Sequence, residues 1–247
     1  MSVAQLSVTP CRIIDEITPE SDRGASLDVL LTAATRLRTR PNTVLSRLRF
    51  LLSHPDELET IARESYWHRN GFARVKIVER HGVWVRLHVW PAGENRVGDV
   101  DPHGHRWDFA SWVAAGQGIT ETYFTQTDEA DSEGSRYVRL DYDRETGSGY
   151  LSQQGPAWLR RCGWRWRAAG EVYGCPVGVL HTVAPQGDDL VATVMMQGPV
   201  IARAAEVFRT DDQPSESSDA PERPITANEL RHLFGAVEAA IRATQPR

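Results

Sequence analysis

The chain has 247 residues, enough for one generous domain or two small ones, and its 40% hydrophobic and 25% charged residues are the balance of an ordinary globular protein, which excludes a disordered or fibrous chain. Its apolar runs fall short of the roughly 18–20 residues that a membrane-crossing helix needs, and its N-terminus lacks the charged-then-apolar layout of a signal peptide, so a cytoplasmic protein with no membrane partner is expected. A net charge of -5 gives no general attraction to nucleic acid or anionic lipid, and the widely spaced Cys11, Cys162 and Cys175 make neither a disulfide framework nor a Cys-rich zinc site.

The first third reads as helical. Leu27, Leu30, Leu31, Ala34 and Leu37 recur at helical spacing across 26–37, as do Val44, Leu45, Leu48, Leu51 and Leu52 across 43–52. Pro41 breaks the two stretches, with Asn42 placed as a cap, and His54-Pro55-Asp56 opens a third short helix to about residue 64. From Phe72 the period changes to two. Segments 74–79 and 82–90, parted by Arg80-His81-Gly82, carry the pattern of a β-hairpin, and further strands are expected at 111–115, 118–125, 136–142, 164–168, 171–173, 179–184 and 190–197. Many short strands without intervening helices predict a mainly β protein, a sandwich or small barrel. Eight tryptophans, all of them from Trp67 to Trp166, place a packed core in this region. Residues 210–224 are rich in Asp, Glu, Ser and Pro and read as a mobile linker, after which Thr226 and Glu229 have capping-box spacing at the start of an amphipathic helix, 226–243. The expected organisation is a helical cap (1–71), a β-barrel (72–208), an acidic linker (209–225) and a C-terminal helix (226–247).

The sharpest chemical feature is His103-Gly104-His105. Residues two apart on an extended strand point to one face, so both imidazoles converge as a metal half-site. A third ligand should come from another strand, and His181, following Pro176-Val177-Gly178, is the candidate. The HxH pair, Gly116 at the end of its strand, and the distant Pro-x-Gly-x-x-His segment together resemble the two motifs of the cupin superfamily, whose double-stranded β-helix (jelly-roll) barrels hold a metal at the mouth. The resemblance covers about residues 72–198. Cupins usually add a carboxylate shortly after the second histidine, where this chain has Phe109 and Ala110, with Asp108 one step short. A three-histidine set is similar to the cysteine dioxygenase branch, and residues 116–124 (GQGITETYF) and 66–70 (YWHRN) resemble segments of that branch too. The string His105-Arg106-Trp107-Asp108-Phe109 also resembles an uncharacterised branch of the superfamily.

The resemblance implies His103, His105 and His181 as iron ligands and Arg69 as the cation that grips a substrate carboxylate. The chain departs from the branch at Ala110, where a crosslinked cysteine can stand, and at Met195 and Gln197, in place of a histidine and a tyrosine, which tells against free cysteine as the substrate. Physically, three neutral imidazoles leave the full charge on a divalent ion and favour an anionic or bidentate substrate; the set suits Fe(II) with O2, and suits Zn(II) with a bound water equally well. An isomerase, lyase or hydrolase, or a non-catalytic small-molecule binder, therefore stands beside the dioxygenase reading. Asp108 is a further catalytic candidate, read chiefly as an acceptor that orients a histidine or pairs with Arg106. Arg86 and His88, on one face of their strand, together with Trp107 and Tyr123, are candidate substrate contacts. Glu121 shares a face with Tyr123 and reads as solvated or packed. In WLRRCGWRWR, 158–167, Trp164 and Trp166 alternate with Arg165 and Arg167 as an amphipathic barrel wall requires, so a nucleic-acid patch is not expected; Cys162 and Cys175 read as packing residues. The expected partners are a small-molecule substrate and O2, with homodimerisation left open by a free barrel edge and the C-terminal helix.

Overall fold

The computed structural model describes residues 25–68, 70–80, 82–93, 98–143, 150–210 and 223–244. Among the described residues, helices α1 (Leu27–Thr39), α2 (Asn42–Ser53) and α3 (Pro55–Arg63) come first. Each buries one stripe. In α1 it is Leu30, Ala33, Ala34 and Leu37, and in α2 it is Val44, Leu45, Leu48 and Leu51, at the spacing of a half-buried helix. Asn42 is the first residue of α2 and Pro41 holds the cap position, so the cap expected at Asn42 is displaced by one.

Twelve strands follow: β1 (Tyr66–Trp67), β2 (Ala73–Arg80), β3 (Val83–Trp90), β4 (Phe109–Ala115), β5 (Ile119–Thr127), β6 (Ser135–Asp143), β7 (Tyr150–Arg167), β8 (Val172–Cys175), β9 (Leu180–Pro185), β10 (Val191–Gln197), β11 (Ala205–Arg209) and β12 (Arg223–Pro224), then helix α4 (Ala227–Ala243). They form a seven-stranded sheet, ordered β12-β1-β2-β3-β10-β4-β8, and a five-stranded sheet, ordered β11-β6-β7-β5-β9. Every pairing is antiparallel. The chain passes from one sheet to the other between β4 and β5, and then at every step from β7 to β12. That crossing order, with β10 seated between β3 and β4, is the double-stranded β-helix, and the chain is mainly β with helices at its two ends.

The second sheet is also closed. His103 makes antiparallel bridges to His181 of β9 and to Val207 of β11, so the segment around it clasps the two outer strands of that sheet. Its hydrogen bonds run from His103 N to His181 O, from Gly104 N to Glu206 O and from Phe208 N to Pro102 O. The free edge expected of the barrel is therefore confined to β12 and β8 of the other sheet.

Alternation sorts the first sheet into two faces. Val83, Val85, Leu87 and Val89 of β3, Ala110, Trp112 and Ala114 of β4, and Ala192, Val194 and Met196 of β10 pack outward against the four helices. The intervening positions, Trp90, Phe109, Val113, Val191 and Met195, turn into the barrel beside Ile119, Tyr173, Cys175 and Val183. At about 1.5–3 kcal/mol for each large side chain buried, these two clusters dominate the stabilisation. Gly116, at the end of β4, has φ +92° and a Cβ there would lie 2.5 Å from the Leu190 carbonyl, so the turn from one sheet to the other requires glycine.

Strand β7 corrects the expectation of a short strand at 164–168. Although it contains Gly155, Pro156 and Gly163, the backbone runs extended for 18 residues because β6 pairs with its first half and β5 with its second. Arg223 and Pro224, expected within the linker, pair with Trp67 and Tyr66; residues 211–222 of that linker lie outside the described residues. Among the described residues no helix is long and apolar enough to cross a membrane.

The capping box at the start of α4 is formed: Thr226 Oγ1 accepts from Glu229 N at 3.2 Å and Glu229 Oε2 accepts from Thr226 N at 2.8 Å. Replacing Thr226 by alanine is expected to destabilise the protein by about 1 kcal/mol, seen as a lower Tm with no change in metal content.

Candidate metal centre

Two segments deliver the three histidines. His103 and His105 sit two apart on the clasp, and His181 stands directly across from His103 on β9. One ligand atom from each falls within 4.8 Å of the others. His105 Nε2 and His181 Nε2 are 3.0 Å apart.

The far side of two rings fixes their tautomers. The Asp101 carbonyl lies 3.0 Å from His103 Nδ1, and a carbonyl only accepts, so Nδ1 carries the proton and Nε2 keeps its lone pair. The Glu121 carboxylate, 3.2 Å from His181 Nδ1, imposes the same choice on His181. Burial drives the His103 and His105 pKa values down, and for His105 the positive charge of the neighbouring histidines adds to this, so both rings are neutral near pH 7. Lone pairs aimed at one point at such separations suit a divalent cation held about 2.1 Å from each nitrogen.

Glu121 is the residue that the sequence reading placed wrongly. It is neither solvated nor merely packed. At 1% exposure its Oε1 faces His181, while its Oε2 accepts from Arg167 Nε at 2.7 Å and from the Tyr123 hydroxyl at 2.7 Å. Arg167 in turn pairs with Glu171 at 2.7 Å. Burial raises the Glu121 pKa, but hydrogen bonds from His181, Arg167 and Tyr123 outweigh that and hold the carboxyl below its usual range. The Tyr123 hydroxyl is pushed up to about 12 by burial and by the carboxylate it donates to. Tyr123, expected as a substrate contact, thus spends its proton on Glu121. The signal for this network was present in the alternation that puts Glu121 and Tyr123 on one face, but Arg167 could be matched to them only through the β5–β7 register.

Asp108 does not stand among the ligand atoms. Its Oδ1 accepts from Val177 N at 2.7 Å, so it fastens the turn before β9 and sets the approach of His181. Arg106, considered as its partner, donates instead to the Ala202 carbonyl at 3.4 Å. Arg69, expected to grip the substrate, lies outside the described residues.

The wall opposite the histidines is unusually polar for a barrel interior. Arg86 is 3% exposed, with its guanidinium carbon 4.4 Å from the Trp84 ring centre and 5.8 Å from that of Trp107. Trp107 is 6.0 Å from His105, ring to ring, which joins this wall to the histidines. His88 packs between Phe72, at 5.2 Å, and Trp90, at 6.4 Å. Arg86 Nη1, His88 Nε2, Trp90 Nε1, Trp107 Nε1 and Gln197 Oε1 are buried without a hydrogen-bond partner. A surface cleft of about 400 Å³ lined by Gln126, Arg139 and Trp158 includes none of these groups.

Burial lowers the His88 pKa to about 3, reinforced by the charge of Arg74. The unfolded chain, with an ordinary histidine near 6.5, binds more protons than the folded one between those values, so folding stability falls as the pH drops from about 6.5 towards 3 and this contribution levels off below. His88→Phe is expected to flatten the acid limb of the stability curve, read from urea midpoints at pH 4 to 7; an unchanged slope would reject the assignment.

The arginine and tryptophan stripe on β7 also has its sides reversed relative to the simple barrel-wall reading. Trp164 and Trp166 face outward at 62% and 55% exposure, while Arg167 is buried. The inward arginine is tolerated because Glu121 and Glu171 neutralise it. Cys162 is exposed and not a packing residue; Cys175 is buried.

No protein-family model matches the chain, and no curated protein matches it. Among solved structures it is similar to a cupin domain from Bordetella pertussis, with 16% identity over 54% of this chain and 98% of that one and a TM-score of 0.30. An RmlC-like cupin with a double-stranded β-helix fold from Methanocaldococcus jannaschii matches at 14% identity over 56% of this chain and 90% of that one, with a TM-score of 0.29. A hydroquinone 1,2-dioxygenase from a Sphingomonas species, with 4-hydroxybenzoate bound, matches at 14% identity over 52% and 67% of the two chains, with a TM-score of 0.30. The fold assignment rests on the strand order itself.

Proposed function

We propose that the protein is a mononuclear metal enzyme of cupin type, an Fe(II) dioxygenase of the three-histidine, thiol-dioxygenase-like kind, acting on a small carboxylate- or thiol-bearing molecule. The observation that carries this reading is the convergence of His103, His105 and His181, joined by no carboxylate among the described residues. His103 and His181 would present Nε2 lone pairs fixed by their Nδ1 hydrogen bonds, and His105 would complete the set. When bound, the ferrous ion would supply the redox chemistry, sharing its open positions between O2 and substrate. The chain's own residues would do the rest. Glu121 holds the His181 ring, Asp108 holds the turn before β9, and Trp107, Phe109 and Trp90 exclude water around the reacting atoms.

The test is metal analysis of protein purified without oxygen, followed by oxygen-uptake assays with thiols, amino acids and hydroxy acids. One equivalent of iron and substrate-dependent uptake is the expected result. Tight zinc with no uptake would sink the redox part of the proposal and leave a Lewis-acid enzyme.

A further inference from the structure

Arg86 is a cation buried inside the barrel, and the described residues place no anion against it. Among the described residues no carboxylate lies within ion-pair distance of it, and its Nη1 makes no hydrogen bond. Guanidinium does not lose its proton in proteins, and a buried, unpaired charge costs several kcal/mol even after relaxation. Stacking against Trp84 and Trp107 offsets part of that cost but supplies no acceptor. None of the described residues supplies that partner, and the orphaned guanidinium is left to receive an anion.

We propose that Arg86 is the anion seat of the pocket and that the ligand it receives is a carboxylate. This rests on the preceding reading, that the barrel interior is a substrate pocket, and gives Arg86 on β3 the role that the resemblance would assign to Arg69. Three observations favour a carboxylate over a tetrahedral oxyanion. The guanidinium carbon lies 4.4 Å and 5.8 Å from two indole rings, and the planar fork of an arginine matches a carboxylate bidentately. The indole N–H of Trp107, whose ring lies 5.8 Å from the guanidinium carbon, is also orphaned and gives a second donor to the two oxygens of a carboxylate. Gln197 Oε1, across from Trp84 in the β3–β10 register, is an orphaned acceptor, which fits a ligand that also carries a hydroxyl, amine or thiol proton. His88 Nε2, two residues along the same face, is a second uncharged polar contact for such a group.

The experiment uses the full chain as purified, with metal content measured in parallel. Formate, acetate and benzoate are titrated at constant ionic strength, with inorganic phosphate as the control oxyanion, and Tm and tryptophan fluorescence are followed in the wild type and in Arg86→Met. The expected result is a saturable rise in wild-type Tm with at least one carboxylate, weaker or absent with phosphate, and an affinity at least about tenfold lower in Arg86→Met at unchanged metal content. Should that variant fail to fold, Arg86→Lys serves, since it keeps the charge but loses the planar fork and is expected to bind carboxylate about tenfold more weakly. The proposal is overturned if no carboxylate stabilises the wild type, if phosphate does so more strongly, or if the variant binds carboxylate as the wild type does. Metal-free protein that still binds carboxylate through Arg86 would leave this inference standing and end the metal reading; a full equivalent of metal without any carboxylate response would do the reverse.

Discussion

Replacing His181 by alanine, or His103 by alanine, is expected to abolish stoichiometric metal binding, with a loss of affinity beyond the roughly 10–100-fold typical of residues that merely support a ligand. Each imidazole would supply one of three ligand atoms, and among the described residues no carboxylate joins that cluster to take its place. His181 should also carry a folding cost, because it is 1% exposed and its removal strands the buried Glu121 carboxylate beside an empty space. The His103 variant removes a half-buried ring that bonds only the Asp101 carbonyl, so its stability should change less. Metal content by elemental analysis, set beside Tm of metal-free protein, separates the two effects. If either single variant retains a full equivalent of metal, the ligand assignment is wrong.

These three positions were legible because their geometry is local or nearly so. Two histidines at strand spacing share a face whatever else the chain does, and a Pro and Gly turn before His181 marks the start of a strand. The alternation of β3, with Val83, Val85, Leu87 and Val89 on one side and Trp84, Arg86, His88 and Trp90 on the other, was equally plain, and it put Arg86 and His88 on one face. What period two does not say is which face turns inward when both are populated by large side chains. On β7 the tryptophans face solvent and Arg167 faces the barrel, since the decision belongs to Glu121 and Glu171 on other parts of the chain. The same limit hid the role of Glu121. Its value to the site comes from standing two residues from the positions opposite His181 and Arg167, diagonally across the β5–β9 and β5–β7 pairs, and register is a property of the assembled sheet.

Glu121→Gln tests that buried network directly. The amide keeps the shape and can still accept from one neighbour, but it removes the charge that holds the proton on His181 Nδ1 and that neutralises Arg167. Two consequences should separate. Through His181, metal affinity is expected to fall about 10–100-fold, because an unfixed ring presents its Nε2 lone pair in only part of its orientations and tautomers. Through Arg167, folding stability is expected to fall by up to about 3–5 kcal/mol, the range for removing one partner of a buried pair, tempered by Glu171, which still holds the guanidinium at 2.7 Å. Arg167→Met distinguishes the routes. It leaves the carboxylate on His181 while removing the cation, so it should lower Tm yet keep metal affinity within a few-fold of wild type. If Arg167→Met weakens metal binding as much as Glu121→Gln does, Glu121 contributes to the site only by holding the sheet together, and its orienting role on His181 falls. If Glu121→Gln costs stability alone, the Nδ1 hydrogen bond is not what sets the tautomer, and the remaining restraint on the ring is its packing against Phe109, 6.1 Å away from centre to centre.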